Sequence, residues 1–189
     1  KMQRYLDMGA RLEAHLKDLD GFISIERFQS VKDPTKLVAL SFWRDEEAAR
    51  LCTERLLTIA RKHGKRIHVL HISTAEELPL LAANRDIATI EVTPHHLTLT
   101  ADDYARLGTK LQMNPPVREA RHREALWRAI ASGLVDVLGS DHAPHTLEEK
   151  AKPYPQSPSG MTGVQTLVPM MLNHVNNGKL SLERFVDLT

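Results

Sequence analysis

The chain has 189 residues, 42% of them hydrophobic and 26% charged, with a formal net charge of +1, the ordinary balance of a globular protein. So small a net charge excludes a polyanion-binding surface of clustered Lys and Arg, so no nucleic-acid partner is expected; no apolar run approaches the roughly 18 residues of a membrane span either. Cysteine occurs once, at Cys52, which rules out an internal disulfide and points to a reducing, cytoplasmic setting.

Residues 3–19 place Leu6, Ala10, Leu12, Leu16 and Leu19 at helical spacing with charges between them, which predicts an amphipathic helix rather than a secretory signal. Asp20-Gly21 stops it. Phe22, Ile23, Ile25 and Phe28 mark a short strand, Asp33-Pro34 a turn, and LVALSFW (37–43) a second strand, close enough to pair with the first as a hairpin. The segment RDEEAARLCTERLLTIARKHG then reads as a helix. Its acids (Asp45, Glu46, Glu47) crowd the first turn and its bases (Arg61, Lys62, His63) the last, as the helix dipole favours, and Gly64 is the stop.

From there strands and helices alternate. Strands are predicted at 67–71, 87–92, 110–113 and 135–140. Helices are predicted at 74–84, near 101–107, at 119–132, at about 164–176 and at 181–188. Strands separated by single helices imply parallel βαβ units and an α/β fold. The Pro-, Ser- and Gly-rich stretch 151–163 follows a strand end, which suits an active-site loop.

The polar residues fall in a pattern. Four successive predicted strands each end in groups able to bind metal or substrate: His71; His95 and His96; Asn114; and Asp141, His142 and His145. In a parallel α/β barrel such ends converge on one face, which holds the active site. Imidazoles and a carboxylate meeting there suit Zn, Mn or Fe. The remaining histidines read differently. His68, three residues before His71, faces the other side of its strand and is structural. His63 is a dipole partner, and His15, His122 and His174 are solvated helix residues. Pro115-Pro116 reads as a strand stop, and Glu148, Glu149 and Lys150 as a solvated loop face.

The pieces HVLHISTAEE (68–77), EVTPHHLTLT (91–100), QMNPPVRE (112–119), DVLGSDHAPHTLEEK (136–150) and PSGMTGVQTLVP (158–169) resemble dihydroorotase of the amidohydrolase superfamily. The resemblance runs from about residue 43 to 189. It implies a metal-dependent cyclic amidohydrolase that interconverts carbamoyl aspartate and dihydroorotate in pyrimidine biosynthesis, acting on a small-molecule substrate with zinc, one or two divalent ions in the full enzyme. His71 matches a metal ligand of the sixth barrel strand. Asp141 matches the eighth-strand residue that is both metal ligand and general acid/base. Asn114 and His145 match positions that hold the substrate's carboxylate and ring, and the loop around Gly160 one that closes on the ring through backbone groups. His95 and His96 fall in the seventh-strand motif, which supplies no ligand. Allantoinase is the alternative within the superfamily; Asn114 before the double proline follows the dihydroorotase pattern.

The chain also departs from that pattern. It contains no His-x-His pair, and the bridging carboxylate or carboxylated lysine, the fifth-strand His and the substrate-binding Arg have no match. The resemblance therefore implies the C-terminal part of a TIM-type (β/α)8 barrel, whose full form takes about 250 residues. Little turnover is expected of this chain alone, and open strand edges invite a homo-oligomer. Residues 20–30 (DGFISIERFQS) and 40–48 (LSFWRDEEA) resemble an antibiotic-biosynthesis-monooxygenase-like domain, which is ferredoxin-like and usually dimeric. This sets the expected division at 1–45, a partial ferredoxin-like segment, and 46–189, a partial amidohydrolase barrel. The rival reading is a non-catalytic, dimerising ferredoxin-like module joined to an inactive barrel fragment; a third keeps the first segment as a small monooxygenase.

Overall fold

The computed structural model describes residues 22–29, 37–43 and 45–189. It divides the chain into two compact units, Lys1–Thr53 and Glu54–Thr189. In the first unit, β1 (Phe22–Gln29) pairs antiparallel with β2 (Leu37–Trp43), in a register that sets Ile25 opposite Ser41 and shifts between Phe22 and Ser24. The expected hairpin pairing is thus present, while the helix expected at 3–19 lies outside the described residues. Helix α1 (Glu46–Lys62) carries Glu46 and Glu47 in its first turn and Arg61 and Lys62 in its last. Gly64 takes φ 59° just beyond it, where a residue without Cβ ends a helix at least cost.

The second unit is built on a three-stranded parallel sheet in the order β3 (Ile67–Val69), β4 (Ala88–Val92), β5 (Val137–Leu138). Between β3 and β4 lies α2 (Glu77–Ala82). Between β4 and β5 lie α3 (Pro94–Thr98), a 3-10 turn (Ala101–Asp103), α4 (Tyr104–Leu107), a second 3-10 turn (Gly108–Leu111) and α5 (Ala120–Ala131). After β5 come α6 (Leu147–Lys150), α7 (Leu167–Asn176) and α8 (Leu182–Asp187). Among the described residues no helix is long and apolar enough to cross a membrane.

Alternation along the strands separates two faces. Val69, Ala88, Ile90, Val92 and Leu138 are buried and join one core with Leu81, Ala125, Leu126, Ala129, Ile130, Met171 and Phe185. Each large aliphatic side chain buried there contributes about 1.5–3 kcal/mol. The other face carries His68, Thr89, Glu91, Val137 and Gly139, none of them buried. At the start of β5, Asp136 accepts both arms of the Arg85 guanidinium and the backbone N–H of Ile90 at 2.7 Å, which ties the strand to β4. The hydrogen bond from Arg85 holds its carboxyl below the ordinary aspartate range, against partial burial. Asp136→Ala leaves that N–H and the guanidinium without their acceptor and is expected to cost about 1–3 kcal/mol in urea denaturation; an unchanged midpoint would show that the cluster is idle.

Several details differ from the sequence expectations. Residues 110–113 form no strand. Gly108 turns the chain at φ 53°, a 3-10 turn follows, and the alternating Leu111 and Met113 bury instead in a small separate cluster with Val117. Apolar alternation marks a side that is buried, not a ladder that is formed. His122 is not solvated; it is 1% exposed on α5, and its Nδ1 accepts the Ala75 N–H at 3.0 Å. His174 is half-buried, with Nε2 2.8 Å from Thr98 Oγ1 and its ring edge-on to Trp127 at 4.9 Å.

Candidate active site

The candidate residues lie beyond the C-terminal ends of β3, β4 and β5. His71 stands two residues past β3 and Asp141 three past β5, both half-buried. Among the described residues these two are the non-glycine residues with positive φ, at 38° and 41°. Histidine and aspartate enter that region more readily than most side chains, yet such a conformation still costs of order 1–3 kcal/mol and persists where the surroundings hold it. Two strand ends that flank β4 thus share the same backbone strain at the two positions that matched metal ligands.

Glu91 of β4 lies beside His71 and Gly139. Its Oε1 is 3.4 Å from the His71 backbone nitrogen, which donates to it, and its Oε2 is 3.4 Å from His68 Nε2. A Cβ on Gly139 would stand 2.2 Å from the Glu91 carboxylate. Glycine at 139, two residues before Asp141, is therefore what lets the carboxylate lie across β5. Sequence reasoning missed Glu91; its parity with Thr89, on the face away from Ile90, was the available signal.

His95 and His96 support the site from behind. Thr93 caps α3 and Pro94 opens it, a pairing suited to a helix start. His96 is buried, with Nδ1 2.8 Å from Thr93 Oγ1 and Nε2 3.1 Å from the Pro115 carbonyl, to which it donates. Burial pushes its pKa down to about 3, opposed by the Pro115 carbonyl and reinforced by the neighbouring His71, His95 and Arg118. His95, also buried, donates from Nε2 to Thr162 O at 2.9 Å.

Asn114, His145 and Gly160 sit on three segments that the structure binds together. Gly160, at φ 141°, donates its N–H to Gln112 O at 3.0 Å, two residues before Asn114. The Gln112 side chain donates to Ser157 O (2.9 Å) and Ser159 Oγ (3.2 Å). His145 Nε2 donates to Ser159 O at 3.1 Å, and its Nδ1 stands 3.8 Å from Glu149 Oε2. One donor of His145 is therefore already spent on the loop. His142 and Met161 form a parallel bridge, with Ala143 N donating to Met161 O at 2.9 Å. Lys150 belongs to this knot and is buried, not solvated; Thr146 and Glu149 close a capping box on the helix that carries it.

For a metal, His71 and Asp141 offer one imidazole and one carboxylate. A catalytic zinc takes three protein ligands, and among the described residues neither of the two belongs to a group of three His, Cys, Asp or Glu donors. His71 and Asp141 alone do not make a zinc site.

Comparison with known proteins gives the site its context. Dihydroorotase from Halobacterium salinarum is 40% identical over 187 residues, 99% of this chain and 43% of that one. The chain is similar to dihydroorotase. Dihydroorotase from Carboxydothermus hydrogenoformans is 38% identical over 143 residues, 74% of this chain and 33% of its own. The chain thus spans less than half the length of these curated relatives. L-hydantoinase (dihydropyrimidinase) from Arthrobacter aurescens superposes with a TM-score of 0.73 at 35% identity, over 77% of this chain and 34% of that one. Saccharomyces cerevisiae dihydroorotase in complex with 5-fluoroorotic acid shares the fold at a TM-score of 0.67 and 22% identity, over 75% of this chain and 41% of that one. A family profile, antibiotic biosynthesis monooxygenase, matches residues 1–51. The two resemblances drawn from the sequence, dihydroorotase-like and monooxygenase-like, are both present.

Proposed function

We propose that residues 46–189 are the later part of an amidohydrolase (β/α)8 barrel of the dihydroorotase type, which interconverts carbamoyl aspartate and dihydroorotate. The carrying observation is the shared positive φ at His71 and Asp141, on the strand ends either side of β4. In hydrolysis the Asp141 carboxylate takes a proton from the water that adds to the ring carbonyl carbon. It returns that proton to the ring nitrogen as the C–N bond breaks. Asn114 and His145, through whichever donors the loop leaves open, and backbone groups near Gly160 hold the substrate. Zinc belongs to this proposal only with ligands besides His71 and Asp141. The single Cys52 supports a cytoplasmic location, and the sheet's open edges support association with a further copy. For residues 1–45, the matched profile and the β1–β2 hairpin support a ferredoxin-like segment.

The test grafts residues 46–189 in place of the matching segment of the Halobacterium salinarum relative. The expected outcome is hydrolysis of dihydroorotate by the graft, with kcat lowered about 10²–10⁴-fold by Asp141→Asn, the span of a lost general acid/base. Asparagine tolerates positive φ, so the fold survives that change. A folded but inactive graft sinks the proposal. A hydantoinase-type activity is the second reading, supported by the 35% identity to the Arthrobacter enzyme; faster turnover of hydantoin than of dihydroorotate by the same graft would select it.

A further inference from the structure

The loop at 151–163 holds Pro153, Pro155 and Pro158, which lack the N–H a backbone ladder needs. Its order must come from elsewhere, and much of it converges on one side chain. Lys150 is 6% exposed at the end of α6. Its Nζ donates to Gln112 O at 2.8 Å, Pro158 O at 2.9 Å and Gly160 O at 3.1 Å. An ammonium has three donors around a compact charge, and here all three are used. A buried cation persists where it is so satisfied; burial lowers its pKa. The Thr146–Glu149 capping box, with bonds of 2.8 and 3.2 Å, fixes the turn from which Lys150 projects. Gln112 O accepts from both Lys150 and Gly160, so one carbonyl and one ammonium join the three segments that carry Asn114, His145 and Gly160.

We propose that Lys150 is a positioning residue: held by the carbonyls of Gln112, Pro158 and Gly160, its ammonium sets the loop around Gly160 against the segments of Asn114 and His145 and thereby shapes the substrate site. The clamp stands on geometry; its effect on substrate rests on the dihydroorotase-type reading above.

The experiment measures amide hydrogen exchange in the full chain and binding of dihydroorotate by the graft of residues 46–189 described above. Lys150→Met is expected to speed exchange over 157–163, leave α5 (Ala120–Ala131) protected, and weaken dihydroorotate binding, each changed quantity by about tenfold, as for a lost hydrogen-bonded charge. In Lys150→Ala, n-propylammonium, the severed part of the side chain, is expected to restore protection of 157–163, and neutral n-propanol is not. Unchanged protection of 157–163 in Lys150→Met overturns the proposal, as does a loosened loop with unaltered binding. Should Lys150→Met lose the protection of α5 as well, the rescue arm decides: restoration by propylammonium supports the clamp, and failure overturns it. If the unsubstituted graft binds no dihydroorotate, the dihydroorotase-type reading falls, and exchange and rescue in the full chain still decide what Lys150 does.

Discussion

Acidification from about pH 7 to about pH 4.5 will destabilise the second unit by about 2.5 kcal/mol through His96 alone. The imidazole is buried and doubly hydrogen-bonded, and its pKa falls from 6.5 to about 3 on folding. The unfolded chain therefore binds more protons than the folded one at every pH between those two values. Stability is fully present above the unfolded value and is lost as the pH falls through it, with the loss ending only near the folded value. Half-buried His174 acts in the same direction, since burial lowers its pKa too. The lowered carboxylates Asp136 and Glu76 extend the loss to lower pH. Urea denaturation of the unsubstituted chain and of His96→Gln at both pH values separates the causes. Glutamine keeps polar atoms near Thr93 and Pro115 but does not titrate, so most of the pH-dependent loss is expected to vanish. An undiminished loss in the variant would show that His96 is not its source.

Gly163→Ala will cost about 3 kcal/mol or more, at the upper end for overpacking. A Cβ at this position would lie 1.9 Å from the Ser140 carbonyl oxygen and 3.2 Å from His95 Cε1. The first neighbour is backbone, one residue before Asp141, and cannot rotate away. The Gly163 N–H also donates to His142 Nδ1 at 3.0 Å, so retreat of the loop breaks that bond. Gly178→Ala is the control. Its φ of 70° is unfavourable for alanine, but nothing lies within 4 Å of the added methyl, so it should cost only about 1–2 kcal/mol. Equal losses in the two variants, read from urea midpoints, would mean that the loop does not approach Ser140 this closely. The expected excess for Gly163→Ala would place 163 in contact with the turn that holds Asp141.

Much of the architecture was legible in the chain. The period of Ala125, Leu126, Ala129 and Ile130 marked α5, the graded charges marked α1, and the alternation in ATIEV marked β4. These patterns are local, because each reflects one element turning one side towards a core. The candidate site was legible as residue types after predicted strand ends; His71, His95 and Asp141 do follow β3, β4 and β5, whereas Asn114 follows a 3-10 turn. Where alternation came from a different burial, as at Leu111 and Met113, the pattern misled. Lys150 misled for another reason: beside two glutamates in a loop it looks solvated, and its partners are 38 residues back and 8 and 10 residues ahead.

The sequence by itself determined the three strands of the parallel sheet, the longer helices between and after them, and the chemical types placed after the strand ends, since these follow from local periodicity and the length of the connections. Only the tertiary structure decided that His71 and Asp141 share a positive φ, that Glu91 lies across Gly139, and that one buried ammonium joins the segments of Asn114, His145 and Gly160. Each of those depends on a close approach between residues far apart in the chain, and its energy is set by contacts that no local pattern encodes.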